Sequence, residues 1–257
     1  MSPVSAQAVS SLRARTGVSI LECKKALDEA SGDEEKAIEI LRKKGITQAA
    51  KKAGREQKEG AIFSAEGNGK AVLVVVNCET DFVARDSNFK SAGETIAAAA
   101  LEKGPDGAKA LAEKTIPELV QKLGENISIG EVQLVTAKVT GVYVHTNGKI
   151  GVIVGVDAGE RDAARDVAMH AAAMSPSFTT PADVTESDVA KEKEIWKVQL
   201  AKEGKPEAIV EKIMLGKEKK FREENALVSQ PFVKDPSKTV AQYLGNATVT
   251  SYVRMTV

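Results

Sequence analysis

The sequence contains few of the residues on which disulfide-stabilised, zinc-binding and membrane proteins depend. Its only cysteines are Cys23 and Cys78, with no CxxC spacing, which excludes a disulfide framework and a zinc site and indicates a reducing compartment. No apolar run approaches the roughly 18 residues of a membrane span. The N-terminus has neither a signal nor a transit pattern, so we expect a cytoplasmic protein without membrane contact. A processed organellar protein would have the same features.

Net charge and aromatic residues are also scarce. The 257 residues include 36 basic and 36 acidic side chains, so the formal net charge is zero. A general nucleic-acid binder needs a basic excess to neutralise phosphates, and we therefore expect no direct nucleic-acid binding. Aromatic residues make up only 4% of the chain. The core must therefore be built from aliphatic side chains, and an exposed aromatic residue becomes conspicuous.

Residues 1–54 have the pattern of a small three-helix domain. A first apolar stripe ends at Gly17, and the segment 19–22 forms a capping box that opens a second helix. The third helix is predicted to end at Gly45. The polar, lysine-rich segment 49–59 then predicts a linker to the rest of the chain.

The remaining chain predicts an α+β fold with two related subdomains, 55–140 and 141–257. Each contains a strand, a turn with the sequence Asn-Gly-Lys that begins at Asn68 or Asn147, an apolar strand and then a helix. The strands that close the two subdomains are predicted at 127–139 and 247–257.

A segment rich in lysine and glutamate, 184–227, interrupts the second subdomain. Two helical stretches of similar length flank the turn Gly204-Lys205-Pro206, and Pro206 suits the first position of the second helix. We predict an inserted antiparallel helical hairpin. Whether the hairpin is a solvated arm or binds a ligand at its tip stays open.

The most informative segment runs from Asn77 to Asp86. It follows a buried apolar strand, 71–76, and precedes a predicted helix, 91–101, so that Asp81 and Phe82 lie at a strand-to-helix corner. An aromatic residue beside a carboxylate at such a corner suits insertion into a partner protein. Residue type alone favours another interpretation, in which Phe82 packs into its own core and Asp81 caps the helix.

Two other functions can be built from the same residues. Glu79, Asp81 and Asp86 could bind magnesium in a small enzyme, but neither histidine is placed to join them. The glycines beside Asn68 lack the spacing and the hydroxyl residue of a P-loop. We therefore predict no catalytic residue, no metal site and no cofactor. The alternative non-enzymatic function is recognition of ubiquitin-like or peptide ligands by the three-helix domain.

Three motifs together resemble the elongation factor Ts family, the nucleotide exchange factors of bacterial-type translation. They are Thr80-Asp81-Phe82-Val83-Ala84, the N-terminal Leu12-Arg13-x-Arg15-Thr16-Gly17 followed by Cys23-Lys24-Lys25-Ala26-Leu27, and the late segment 230–240, in the order found in that family. The resemblance implies a ubiquitin-associated-like N-terminal domain and a coiled-coil projection at 184–227. It also implies binding to the GTPase elongation factor Tu and release of its GDP, without covalent chemistry.

The resemblance implies three contact regions. The first is the motif Thr80, Asp81, Phe82 and Val83, which would enter the GTPase domain and disturb its magnesium site. The second is an exposed face of the N-terminal domain with Leu12, Arg13, Ile20 and Leu21, and the third is His145 in the second subdomain. Homodimerisation stays open, because the sheets have edges that could pair. Longer relatives continue beyond Val257 into a helical module, whose contacts we expect to be missing.

Overall fold

The structure is a computed structural model that describes residues 4–202 and 207–257. Its N-terminal part has three helices, α1 (Ala6–Thr16), α2 (Ile20–Glu29) and α3 (Glu34–Lys52). Ser5, Ser19 and Asp33 cap them, because each side chain accepts a hydrogen bond from a backbone N–H in the first turn. The three helices share one small apolar core, which contains Val9, Leu12, Cys23, Leu27 and Leu41.

The predicted end of the third helix at Gly45 is wrong, since α3 continues to Lys52. Gly45 does not have a left-handed backbone conformation. A Cβ atom there would lie 2.9 Å from the backbone oxygen of Pro117, so glycine is needed for close packing against another helix. The connection to the first strand is correspondingly shorter than the predicted 49–59 and covers residues 53–58.

An antiparallel sheet follows, with β1 (Glu59–Gly67), β2 (Lys70–Cys78) and β3 (Ser128–Thr136) in the order β1-β2-β3. Between β2 and β3 the chain forms α4 (Asp81–Arg85) and α5 (Ser87–Leu123). The predicted helix 91–101 is therefore part of a much longer one, which is broken at Gly104, where φ is 75°. Helix α5 covers one face of the sheet and encloses a core with Phe63, Val74, Phe89 and Ile96.

The second sheet contains β4 (Val139–Val144), β5 (Ile150–Val156) and β8 (Val249–Thr256) in the order β4-β5-β8. Val139 belongs to this sheet, so the predicted strand 127–139 is two strands. Helix α6 (Arg161–Met174) covers one face. A Cβ atom on Gly141 would lie 2.2 Å from the backbone of α6, so glycine permits this contact. The opposite faces of the two sheets pack together through Ile62, Leu73, Val142 and Ile153.

The predicted helical hairpin is present as α7 (Glu186–Lys202) and α8 (Glu207–Glu224). Trp196 packs edge-on against Phe221, with ring centroids 5.9 Å apart. At its base, Arg222 donates to the backbone oxygen of Val184 over 2.7 Å and pairs with Glu186 at 2.5 Å. The predicted turn at Lys205-Pro206 lies outside the described residues.

The segment between the hairpin and β8 forms a short connector with β6 (Pro231–Phe232), β7 (Asp235–Thr239) and α9 (Val240–Leu244). His170 of α6 is fully buried beneath it. The chain is therefore an α+β protein. Across the described ranges, no helix combines the length and apolar character required to cross a bilayer.

Candidate functional site

The motif that begins at Thr80 forms a single helical turn at the end of a buried strand. β2 ends at Cys78, and the Thr80 hydroxyl accepts a hydrogen bond from the Val83 N–H over 3.4 Å at the start of α4. Phe82 is 81% exposed, whereas Val83 is 8% exposed and packs in the core. The interpretation that Phe82 packs into its own core is therefore wrong.

The carboxylates around Phe82 have separate partners and do not form a shared cluster. Asp81 pairs with Arg85 over 2.9 Å, and Glu79 accepts a hydrogen bond from the Asn126 N–H over 2.6 Å. Asp86 caps α5. Burial alone would raise the pKa of Asp86, but hydrogen bonds from Asn88 and from the Phe89 N–H outweigh that effect and lower it. Within residues 4–202 and 207–257, no three potential metal ligands are gathered.

A distant residue holds the start of this turn in place. The Glu125 carboxylate, which follows the end of α5, accepts hydrogen bonds from the backbone N–H groups of Glu79 and Thr80 and from the Thr80 hydroxyl. Below it, the Cys78 thiol donates to the backbone oxygen of Thr80 over 3.2 Å. Burial, assisted by the nearby Glu125 charge, raises the pKa of the Cys78 thiol to about 11, so the thiol stays protonated.

The N-terminal domain has an apolar surface patch at the start of α2. Ile20 is 57% exposed and Leu21 is 61% exposed, and Ile20 lines a shallow depression together with Arg13 and Lys24. Leu12 is not part of this face. Its exposure is 0% because it packs in the centre of the three-helix core, so its prediction as an exposed contact residue is wrong.

His145 is exposed near the tip of the β4–β5 hairpin, where its Nδ1 lies 3.1 Å from the Tyr143 hydroxyl. The tip is attached to the first sheet, because the Ile62 N–H donates to the backbone oxygen of Gly148 over 2.8 Å and Lys149 pairs with Glu59. A groove of about 760 Å³ separates this tip from α4 and is lined from both sides. The structure thus brings the hairpin tip close to the turn that bears Phe82.

Comparison with known proteins identifies the family. A family model described as Elongation factor TS matches residues 79–257. The chain belongs to the elongation factor Ts family. Proteins named Elongation factor Ts include one from Saccharophagus degradans, 47% identical over 264 residues that cover 99% of this chain and 91% of that protein. Another, from Arthrospira platensis, is 48% identical over 248 residues, 91% of this chain and 100% of that protein.

A third relative, the Elongation factor Ts of Hahella chejuensis, is 45% identical over 253 residues, or 96% of this chain and 88% of its own length. Membership of the elongation factor Ts family gives the chain a role in translation elongation, and therefore in protein biosynthesis. The local geometry adds one residue that sequence reasoning missed. Glu125 lies 45 residues after Thr80, and no local pattern indicates that the two meet.

Proposed function

We propose that this elongation factor Ts family member binds the GTPase elongation factor Tu and accelerates release of its GDP. The observation that carries the proposal is Phe82, a large aromatic side chain that is 81% exposed on a short turn anchored by buried neighbours. An exposed aromatic residue on a rigid support is suited to enter a pocket of a partner protein. The factor would act in the cytoplasm, where translation takes place.

Phe82 would enter the GTPase domain and displace the elements that hold magnesium and the phosphates. Burying a phenylalanine side chain at an interface contributes about 1.5–3 kcal/mol. If this contact forms only in the open state, it weakens nucleotide binding roughly ten- to a hundredfold. Asp81, which is partly exposed and paired with Arg85, would add polar contacts near the magnesium site. Thr80 and Val83 would shape the turn, since their side chains point to Glu125 and to the core.

The mechanism requires no covalent chemistry and no cofactor on this chain. An exchange factor binds the nucleotide-free GTPase more tightly than the nucleotide-bound one, and linkage then weakens nucleotide binding by the same ratio. The factor therefore acts on the GDP and magnesium of its partner, and the nucleotide pool sets the direction of exchange. This function is non-catalytic in the chemical sense.

Two further surfaces would provide affinity for the same partner. The first contains the exposed apolar side chains Ile20 and Leu21, with the cations Arg13 and Lys24 lining the depression beside Ile20. Such a surface suits the apolar face of a helix. His145 would make the third contact, on a more distant part of the GTPase. Both surfaces lie outside the α4 turn. Substitutions there should therefore weaken binding to the partner more than they slow GDP release from the complex once it has formed.

The test is stopped-flow release of fluorescent GDP from elongation factor Tu. We expect the wild-type chain to accelerate release strongly and Phe82→Ala to lose most of the acceleration, with a smaller loss for Asp81→Ala. Leu215→Ala is the matched control, because Leu215 is an apolar side chain 69% exposed on the helical hairpin. Phe82→Ala should unfold at the same denaturant concentration as wild type, since so exposed a side chain contributes little to the core.

Failure of the wild-type chain to accelerate release would remove the proposed function. Equal acceleration by wild type, Phe82→Ala and Asp81→Ala would retain exchange activity but exclude the α4 turn as its source. A loss shared by Leu215→Ala would show that the effect is not specific to the turn.

A further inference from the structure

The segment that follows α5 folds back onto the turn that bears Phe82. One oxygen of the Glu125 carboxylate, Oε2, accepts the backbone N–H of Glu79 and the backbone N–H of Thr80, each over 3.0 Å. The other oxygen, Oε1, accepts the Thr80 hydroxyl over 2.5 Å. A single side chain therefore takes up three donors at the base of the turn.

These donors need an external acceptor because of where they lie in the chain. The last residue of β2 that pairs with β3 is Asn77, which lies opposite Ser128. Glu79 and Thr80 therefore lie beyond the sheet, before α4 begins. Both residues are half-buried, and a buried backbone N–H without an acceptor costs about 1–3 kcal/mol. A carboxylate suits this position, because hydrogen bonds to an ionised acceptor are shorter and stronger than neutral ones.

The next residue connects the same segment to the N-terminal part of the chain. The backbone N–H of Asn126 donates to the Glu79 carboxylate over 2.6 Å. The side-chain amide of Asn126 donates to the backbone oxygen of Arg55 over 2.8 Å. Asn126 is 5% exposed. Residues 125 and 126 therefore fix the start of the turn from one side and the connection after α3 from the other.

We propose that Glu125 is a positioning residue, which holds Thr80 so that Phe82 projects from the turn in the orientation that enters the partner. The proposal rests on the exchange function proposed above. Glu125 itself is not required to touch the partner. The complex would still form through the surfaces around Ile20 and His145, but Phe82 would be correctly placed in a smaller fraction of the complexes, so the maximal rate of GDP release should fall. The half-saturating concentration should change little, since the surfaces around Ile20 and His145 are untouched.

The experiment compares Glu125→Ala and Glu125→Gln with wild type in stopped-flow release of fluorescent GDP over a range of factor concentrations. We expect the maximal rate to fall roughly ten- to a hundredfold in Glu125→Ala, by the strength of hydrogen bonds to a charged group. Glu125→Gln keeps one acceptor oxygen and the shape of the side chain, so it should recover part of the rate. Glu113→Gln is the matched control, as Glu113 is an exposed carboxylate on α5 with no hydrogen bond or ion pair to any described residue.

A second readout needs no partner protein. Amide hydrogen exchange at Glu79 and Thr80 should be faster in Glu125→Ala than in wild type and unchanged in Glu113→Gln, whereas amides in the centre of β2 should keep their protection. Unchanged exchange at Glu79 and Thr80, or an unchanged maximal release rate in both Glu125 variants, would overturn the proposal. If wild type itself does not accelerate GDP release, the proposed function fails, and amide exchange still decides whether Glu125 holds the turn.

Discussion

Replacement of the buried His170 should remove a pH dependence of folding stability. His170 is 0% exposed, and its Nδ1 accepts the Val233 N–H over 3.1 Å. The other ring nitrogen, Nε2, lies 3.0 Å from the side-chain oxygen of Gln230. The amide nitrogen of Gln230 donates to the backbone oxygen of Glu224. The group that faces His170 is therefore the amide oxygen of Gln230, which can only accept. The ring is therefore neutral, with its proton on Nε2.

Protonation of this ring would place an N–H on Nδ1 against the N–H of Val233. Burial lowers the pKa of His170, and the hydrogen bond to Gln230 offsets only part of that change. In the unfolded chain a histidine titrates near pH 6.5. Below that pH the histidine binds a proton in the unfolded chain but not in the native chain, so the free energy of unfolding falls as the pH falls. The slope from one such proton reaches about 1.4 kcal/mol per pH unit.

The assay is urea unfolding of wild type, His170→Asn and His145→Asn at several pH values, from 7.5 down to the lowest pH at which the protein remains folded. His170→Asn should be less stable at pH 7.5, since it loses one hydrogen bond, but its stability should fall less steeply below pH 6.5. His145→Asn is the control, because His145 is exposed near the hairpin tip and not buried in a core. Equal slopes for wild type and His170→Asn would refute the argument.

Two further predictions concern the buried thiol of Cys78 and the packing at two glycines. Cys78 should resist thiol reagents at pH 8 in the native chain and react after unfolding, since burial raises its pKa to about 11; native reactivity measured by thiol titration would contradict this. Gly141→Ala should cost about 1–3 kcal/mol, because the added Cβ would lie 2.2 Å from the backbone of Ala164. Gly216→Ala, in an open stretch of α8, should instead gain up to about 1 kcal/mol, and urea unfolding of both measures the contrast.

The sequence predicted those features that depend on local periodicity and turn chemistry. The Asn-Gly-Lys turns, the apolar strands and the helical hairpin lie where alternation, turn residues and helix caps indicated. Leu12 shows where resemblance misled, because its helical spacing from Val9 already indicated a core position.

The rest depended on contacts between distant parts of the chain. Glycine often ends a helix, but Gly45 lies inside α3, where the absence of a side chain allows close packing against Pro117. Only the packed structure distinguishes these two roles of a glycine. Helix α4 has five residues, too few for a periodic pattern. Glu125 could not be predicted either. A glutamate after a helix-ending glycine is common, and only the fold brings this one within hydrogen-bond distance of Thr80.

The attachment of the β4–β5 hairpin tip to β1 has a consequence for binding strength. Because Gly148 accepts a hydrogen bond from Ile62 and Lys149 pairs with Glu59, the separation between His145 and Phe82 is fixed before any partner arrives. In the proposed complex, binding of one of these residues would present the other at a high effective concentration, without the loss that a flexible linker would cause. A partner with matching spacing would gain from both contacts, and one with a different spacing could use only one.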